Sequence, residues 1–106
     1  MNKFGIYDKE LDMIISVLNK YPQIERAKIF GSRAKGNFKR YSDVDIAVFG
    51  DSAHDLSRDI SYDLDDLYII YKCDVLHYEK TYSTEIKEHI DRVGVVFYER
   101  AEYHDR

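Results

Sequence analysis

Leu11, Ile14, Ile15 and Leu18 recur at the spacing of one helix face, which predicts a helix from about Tyr7 to Lys20. Pro22, the only proline, marks its end. A short β-prone run from Lys28 to Phe30 delivers the chain to Gly31, and a single helical turn from Ser32 to Lys35 can follow, closed by Gly36. From Asp43 to Phe49 the pattern alternates: Val44, Ile46 and Val48 share one face of a predicted strand, and Asp43 and Asp45 share the other. Gly50-Asp51-Ser52 breaks it.

Helical spacing returns from about Ala53 to Ile70, with Leu56, Ile60, Leu64 and Leu67 on one face and Asp55, Asp59, Asp63 and Asp66 on another. Cys73 to Tyr78 reads as a strand, and a strand reached through a helical crossover is expected to lie parallel to the one before it. A last helix is predicted from Ser83 to Arg92, with Ser83 as N-cap and Ile86 and Ile90 turned inward. Val95 to Tyr98 is short and β-prone, suited to an edge strand or to packing on the core. These elements predict an α/β (α+β) chain, a small mixed β-sheet flanked by helices.

Length adds that the 106 residues (1–106) form one domain. A hydrophobic content of 44% against 34% charged residues fits a soluble globular protein, with no run long enough to span a membrane and no apolar signal-peptide core after Met1. The single cysteine, Cys73, excludes an internal disulfide and suits a reducing cytoplasm; it is read as a small core residue rather than a catalytic thiol.

Charge changes the picture more. The net charge is -4, yet Arg26 to Ser42 holds six basic residues (Arg26, Lys28, Arg33, Lys35, Lys39, Arg40) and no acidic one. The rest of the chain has ten basic against 20 acidic residues, so most of the surface should repel a long nucleic acid while this segment attracts a compact polyanion such as a nucleoside triphosphate. No stable nucleic-acid binding is expected.

The same segment holds the candidate chemistry. Gly31-Ser32 precedes the pair Asp43-Val44-Asp45 by ten residues. Side chains two apart on a strand are roughly 6.6 Å apart along the backbone and point the same way. Two such carboxylates suit a hard divalent cation, Mg2+, and a Gly-Ser turn entering a helix suits phosphate oxygens. Asp74, at the start of the neighbouring strand, can reach the same site, and three carboxylates from two strands are enough for two Mg2+ ions. No Gly-Lys-Ser/Thr follows at Walker spacing, and the apolar run after Asp45 is not an EF-hand loop. His54, His77, His89 and His104 show no metal-ligand spacing and are read as surface or packing residues.

This combination resembles the signature of the polymerase beta-like nucleotidyltransferase superfamily, and at this length its smallest members, the minimal nucleotidyltransferases (MNT). The resemblance covers nearly the whole chain, including the closing Val93 to Glu99. It implies the polymerase beta-like fold, Asp43 and Asp45 as ligands of both metals, and Asp74 as third ligand and candidate base. Gly31 and Ser32 would hold the β- and γ-phosphates of ATP, with Arg33, Lys35 or Arg40 as cationic helpers. The implied reaction moves a nucleoside monophosphate, AMP from ATP, to a protein hydroxyl.

Larger members carry an added domain for the acceptor, which this chain has no residues to build. The resemblance therefore also implies a partner, a small helical HEPN toxin for which the chain acts as antitoxin. The alternatives are a non-catalytic module that neutralises a partner by occlusion and a small-molecule (antibiotic) nucleotidyltransferase. The ten tyrosines are read as core and rim packing before partner surface, and the acidic stripe as a solvated helix face before a docking surface for a basic partner.

Overall fold

The computed structural model describes residues 1–100. The elements run α1 (Asp8–Leu18), β1 (Arg26–Phe30), α2 (Gly31–Lys35), β2 (Val44–Phe49), α3 (Ser57–Asp65), β3 (Cys73–His77), a 3-10 turn (Tyr78–Lys80), α4 (Thr84–Val93) and β4 (Val95–Glu99). The strands form one four-stranded mixed sheet in the order β3-β2-β1-β4. β1 is antiparallel to both β2 and β4, while β2 and β3 are parallel, as the crossover through α3 requires. The short segment after α4 is thus an edge strand.

The period-two alternation of β2 divides its side chains between two apolar layers. Val44, Ile46 and Val48 are fully buried and pack with Ile14, Val17 and Leu18 of α1, Ile60 and Leu64 of α3, and Ala27 and Ile29 of β1. Ala47 and Phe49, on the opposite face, pack with Phe30 and with Ile90 of α4. The latter layer is the smaller one. Asp45 lies on its face, one alternation before Ala47, where the apolar cover ends.

Several boundaries differ from the expected ones. β1 begins two residues earlier than its apolar run, because Arg26 and Lys28 lay their cations over the Phe49 ring at 5.0 and 5.3 Å and so belong on the α4 face. α3 is shorter at both ends than the span 53–70. Asp55 accepts a hydrogen bond from the Ser57 N–H (2.9 Å), a local turn that sets the first residue of the helix. At the other end Asp65 and Asp66 sit at the negative pole of the helix, and the Leu67 N–H closes a tighter turn onto the Leu64 carbonyl (3.1 Å). Tyr78 leaves β3 for the 3-10 turn and stacks on Phe49 with ring centroids 4.6 Å apart. Ser83 caps α4 as expected, accepting from the Ile86 N–H.

His77 is a packing residue, as read from the sequence. It is buried, its Nδ1 accepts the Leu56 N–H (3.1 Å), and its Nε2 lies 2.8 Å from the Gly50 carbonyl. An Nδ1 that accepts leaves Nε2 to carry the proton and donate, so a neutral ring ties the end of β2 to the entry of α3. His54 is exposed, His89 meets the edge of Phe30 at a centroid distance of 6.0 Å, and His104 lies outside the described residues. Among the described residues, no helix is long and apolar enough to cross a membrane.

Candidate active site

The parallel register of β2 and β3 sets Asp45 directly opposite Asp74. Neighbouring strands run about 4.8 Å apart, and opposed residues project to the same face, so two carboxylates from distant parts of the chain meet there. Asp43 precedes β2 by one residue, outside the strand proper, and contributes from the approach loop. Its charge acts on both Asp45 and Asp74 all the same. The three acids expected from the sequence are therefore brought together.

Their electrostatics record the crowding. Partial burial, followed by the charges of Asp74 and Asp43, pushes the Asp45 carboxyl above its ordinary range. Asp74 is likewise raised, by desolvation first and then by the closeness and charge of Asp43, with Lys72 acting in the opposite sense. Three oxygen-donor groups that cannot all ionise cheaply are a donor set that fits a hard cation. Among the described residues no three His, Cys, Asp or Glu side chains already close as a cage. Mg2+ does not require one, because it keeps waters and takes substrate phosphate oxygens beside one or two carboxylates.

β1 runs into α2 without a loop, and Gly31 is the joint. Its φ is +71°, a left-handed value that side chains disfavour, and the Asp45 carboxylate occupies the place a Cβ would take. Gly31 thus stands against the carboxylate of β2, and Ser32 follows it in the first turn of α2. The first N–H groups of a helix have no partner within it, and a hydroxyl adds one more donor. Lys35 is exposed on the last turn of α2, and Arg40 is exposed beside Tyr41.

Arg33 departs from the expectation of a phosphate contact. It is 1% exposed, and its guanidinium donates to backbone carbonyls alone. All five N–H donors of an arginine are thereby used, and none is left for a ligand. The chain 36–42 folds around the side chain, so what sequence reads as a loop cation is a core residue. Cys73 is buried on the other face of β3 from Asp74, and burial, then the charges of Asp65 and Asp74, push its thiol up to about 12, so it is inert at neutral pH.

The model of the polymerase beta nucleotidyltransferase family matches residues 12–103. The chain belongs to that family. It is 31% identical, over 92% of its own length and 87% of the relative's, to a probable protein adenylyltransferase MntA of Haemophilus influenzae. A toxin–antitoxin structure with AMP-PNP shares the fold at a TM-score of 0.62 and 19% identity, over 92% of this chain and 77% of the other. The complex of a tri-AMPylated Shewanella oneidensis HEPN toxin with its MNT antitoxin gives a TM-score of 0.60 at 19% identity, over 92% and 76%. The chain is a nucleotidyltransferase, with the mixed sheet and flanking helices of that fold.

The acidic stripe of α3 is less continuous than its spacing implied. Asp63 is drawn inward to accept a hydrogen bond from the Tyr21 hydroxyl at 2.5 Å, and Asp55 is spent on the turn before the helix. Asp55 stays exposed all the same, as do Asp59 and Asp66. The tyrosines divide as well: Tyr71 is buried and Tyr78 stacked, whereas Tyr62, Tyr68 and Tyr82 are 71%, 99% and 99% exposed.

Proposed function

We propose that this chain is a Mg2+-dependent adenylyltransferase that moves AMP from ATP to a hydroxyl of a protein acceptor, a HEPN toxin for which it serves as cytoplasmic antitoxin. The observation that carries this reading is the opposition of Asp45 and Asp74 across β2 and β3, with Gly31 pressed against Asp45. The closeness of the Gly-Ser turn to the carboxylate cluster supports a triphosphate held between them. The 31% identity with a probable protein adenylyltransferase favours AMP and a protein acceptor, and the HEPN partner of a fold neighbour favours the toxin.

In this reading Asp43, Asp45 and Asp74 hold the metal, and Gly31 and Ser32 hold the β- and γ-phosphates. When bound, Mg2+ neutralises charge on the triphosphate and lowers the pKa of the attacking hydroxyl. The acceptor oxygen bonds to the α-phosphorus as the bond from that phosphorus to the bridging oxygen breaks, and pyrophosphate leaves with the electron pair. The hydroxyl proton passes to the Asp74 carboxylate, which the register of β2 and β3 sets beside Asp45. Fixing both reactants on rigid strands supplies the orientation that in-line transfer needs.

The test is incubation with ATP labelled at the α-phosphate, Mg2+ and the protein encoded beside this chain, or a host lysate. Label should enter a protein band and disappear with Asp45→Asn. Label that appears only on a small molecule would replace the protein acceptor, and no label with any nucleoside triphosphate would end the catalytic reading.

A further inference from the structure

Arg33 is a buried cation whose acceptors are all carbonyl oxygens. Its Nη1 donates to Phe4 and Gly5 (2.9 and 3.3 Å), its Nη2 to Arg40 and Ser42 (3.4 and 2.8 Å), and its Nε to Ser42 (3.0 Å). The guanidinium lies between the Phe38 and Tyr71 rings, 5.0 and 4.9 Å from their centroids. Tyr71 in turn donates from its hydroxyl to the Gly5 carbonyl and accepts the Tyr7 N–H, both at 3.3 Å.

Three of the residues in this cluster sit on segments that lead into the site, and Phe4, Gly5 and Tyr7 tie them to the chain before α1. Arg33 follows Ser32 in α2, Ser42 precedes Asp43, and Tyr71 lies three residues before Asp74. The Ser42 carbonyl takes two of the five donors, and a peptide is planar, so the fork fixes the Asp43 N–H along with it. Little else anchors that loop. Asn37, Lys39, Arg40 and Tyr41 are exposed, and within it the Ser42 N–H donates to the Lys39 carbonyl and the Lys39 N–H to the Ser42 hydroxyl. A buried charge is costly unless its donors are met. Meeting them requires the whole loop in one geometry.

We propose that Arg33 is the positioning residue of this site, holding the Gly31-Ser32 turn, Asp43 and the approach to Asp74 in one frame. The proposal rests on the adenylyltransferase reading for its kinetic arm and on backbone geometry for the other. Arg33→Lys keeps the charge but has three N–H donors on a tetrahedral nitrogen, which cannot fork onto Ser42. Displacement of a reacting group by about 1 Å costs on the order of 100-fold, so kcat should fall about 10- to 100-fold while KM for ATP changes by less than about threefold.

The control is Ile60→Val, a core change on α3 brought to the same distance below its own Tm as Arg33→Lys. Amide exchange at Ser42 and Asp43 should speed up about tenfold in Arg33→Lys and stay at the wild-type rate in the control. If Arg33→Lys does not fold, Phe38→Leu, which removes one plate of the clasp, should shift kcat and exchange in the same direction. A fall in kcat no larger than that of the control, or unchanged exchange at Ser42 and Asp43, overturns the proposal. A wild-type chain that labels no acceptor refutes the adenylyltransferase reading instead, and the exchange measurement still decides whether Arg33 holds the loop.

Discussion

The Asp45 carboxylate fills the space beside the Gly31 α-carbon, so that the first residue of the Gly-Ser turn and the central acid of the carboxylate cluster are in direct contact. Gly31→Ala should therefore do two things at once. It places a methyl group where the carboxylate sits and forces a side chain into a left-handed φ of +71°, a strain of about 1–2 kcal/mol. The expected outcome is a lower Tm together with transfer reduced well beyond what the loss of stability explains. Measuring both on one preparation checks it, and a Gly31→Ala enzyme of native activity would show that the contact is dispensable.

Asp45→Asn separates stability from function in the opposite sense. In the absence of metal the Asp45 charge is repelled by Asp74 and Asp43 in a half-buried place, so neutralising it should raise Tm while abolishing transfer. Mg2+ should then raise the Tm of the wild type and leave that of Asp45→Asn nearly unchanged. A variant that melts below the wild type without metal would mean that the carboxylate is held by stabilising contacts.

The pH dependence follows with a definite sign. Asp45 and Asp74 lie above their ordinary value of 3.8 in the folded state, which therefore binds more protons than the unfolded chain in the interval above it. Metal-free stability consequently falls as pH rises from 3.8 through the raised values, and stays low beyond them. The Tm advantage of Asp45→Asn should vanish below about pH 4 and grow toward neutrality. Thermal melts in EDTA across that range are the measurement, and a pH-independent difference would remove the repulsion argument.

Ser32→Ala removes a single hydroxyl and leaves the backbone donors of the turn. A hydrogen bond to a charged group is worth about 1.5–3 kcal/mol, so kcat/KM for ATP should fall roughly 10- to 150-fold with the fold intact. An unchanged kcat/KM would make Ser32 a helix-entry residue only.

The parts legible in the sequence were those written in local periodicity. Val44, Ile46 and Val48 against Asp43 and Asp45 revealed the strand and its open face, and Leu11 to Leu18 revealed α1. Asp74 could be placed because a crossover helix makes the next strand parallel, which brings its first residues level with those of β2. Arg33 could not. Its role depends on carbonyls of Phe4, Gly5, Arg40 and Ser42, and a backbone carbonyl has no letter in a sequence. The same holds for the Asp63 carboxylate, which periodicity put in the exposed stripe and Tyr21 draws inward. Side-chain bonds over 42 residues override a face assignment made from spacing alone.

That correction reshapes the test of α3 as a docking surface. Reversing Asp63 would break its bond with Tyr21, so a loss of partner binding in Asp63→Lys would report on packing between α3 and the segment after α1. Asp59 and Asp66 are exposed and can be reversed with little effect on the fold. If the acceptor presents a basic face, opposite charge steers its approach, and a Debye length of about 10 Å at 0.1 M salt lets that attraction act at low ionic strength only. The double variant Asp59→Lys, Asp66→Lys should slow association with the partner at low salt and approach the wild-type rate at high salt. Mg2+-ATP binding, which the proposed function assigns to the separate carboxylate cluster of Asp43, Asp45 and Asp74, should stay unchanged. Stopped-flow association at two salt concentrations, paired with a nucleotide titration, separates these effects. Equal rates at low salt would return α3 to a solvated face.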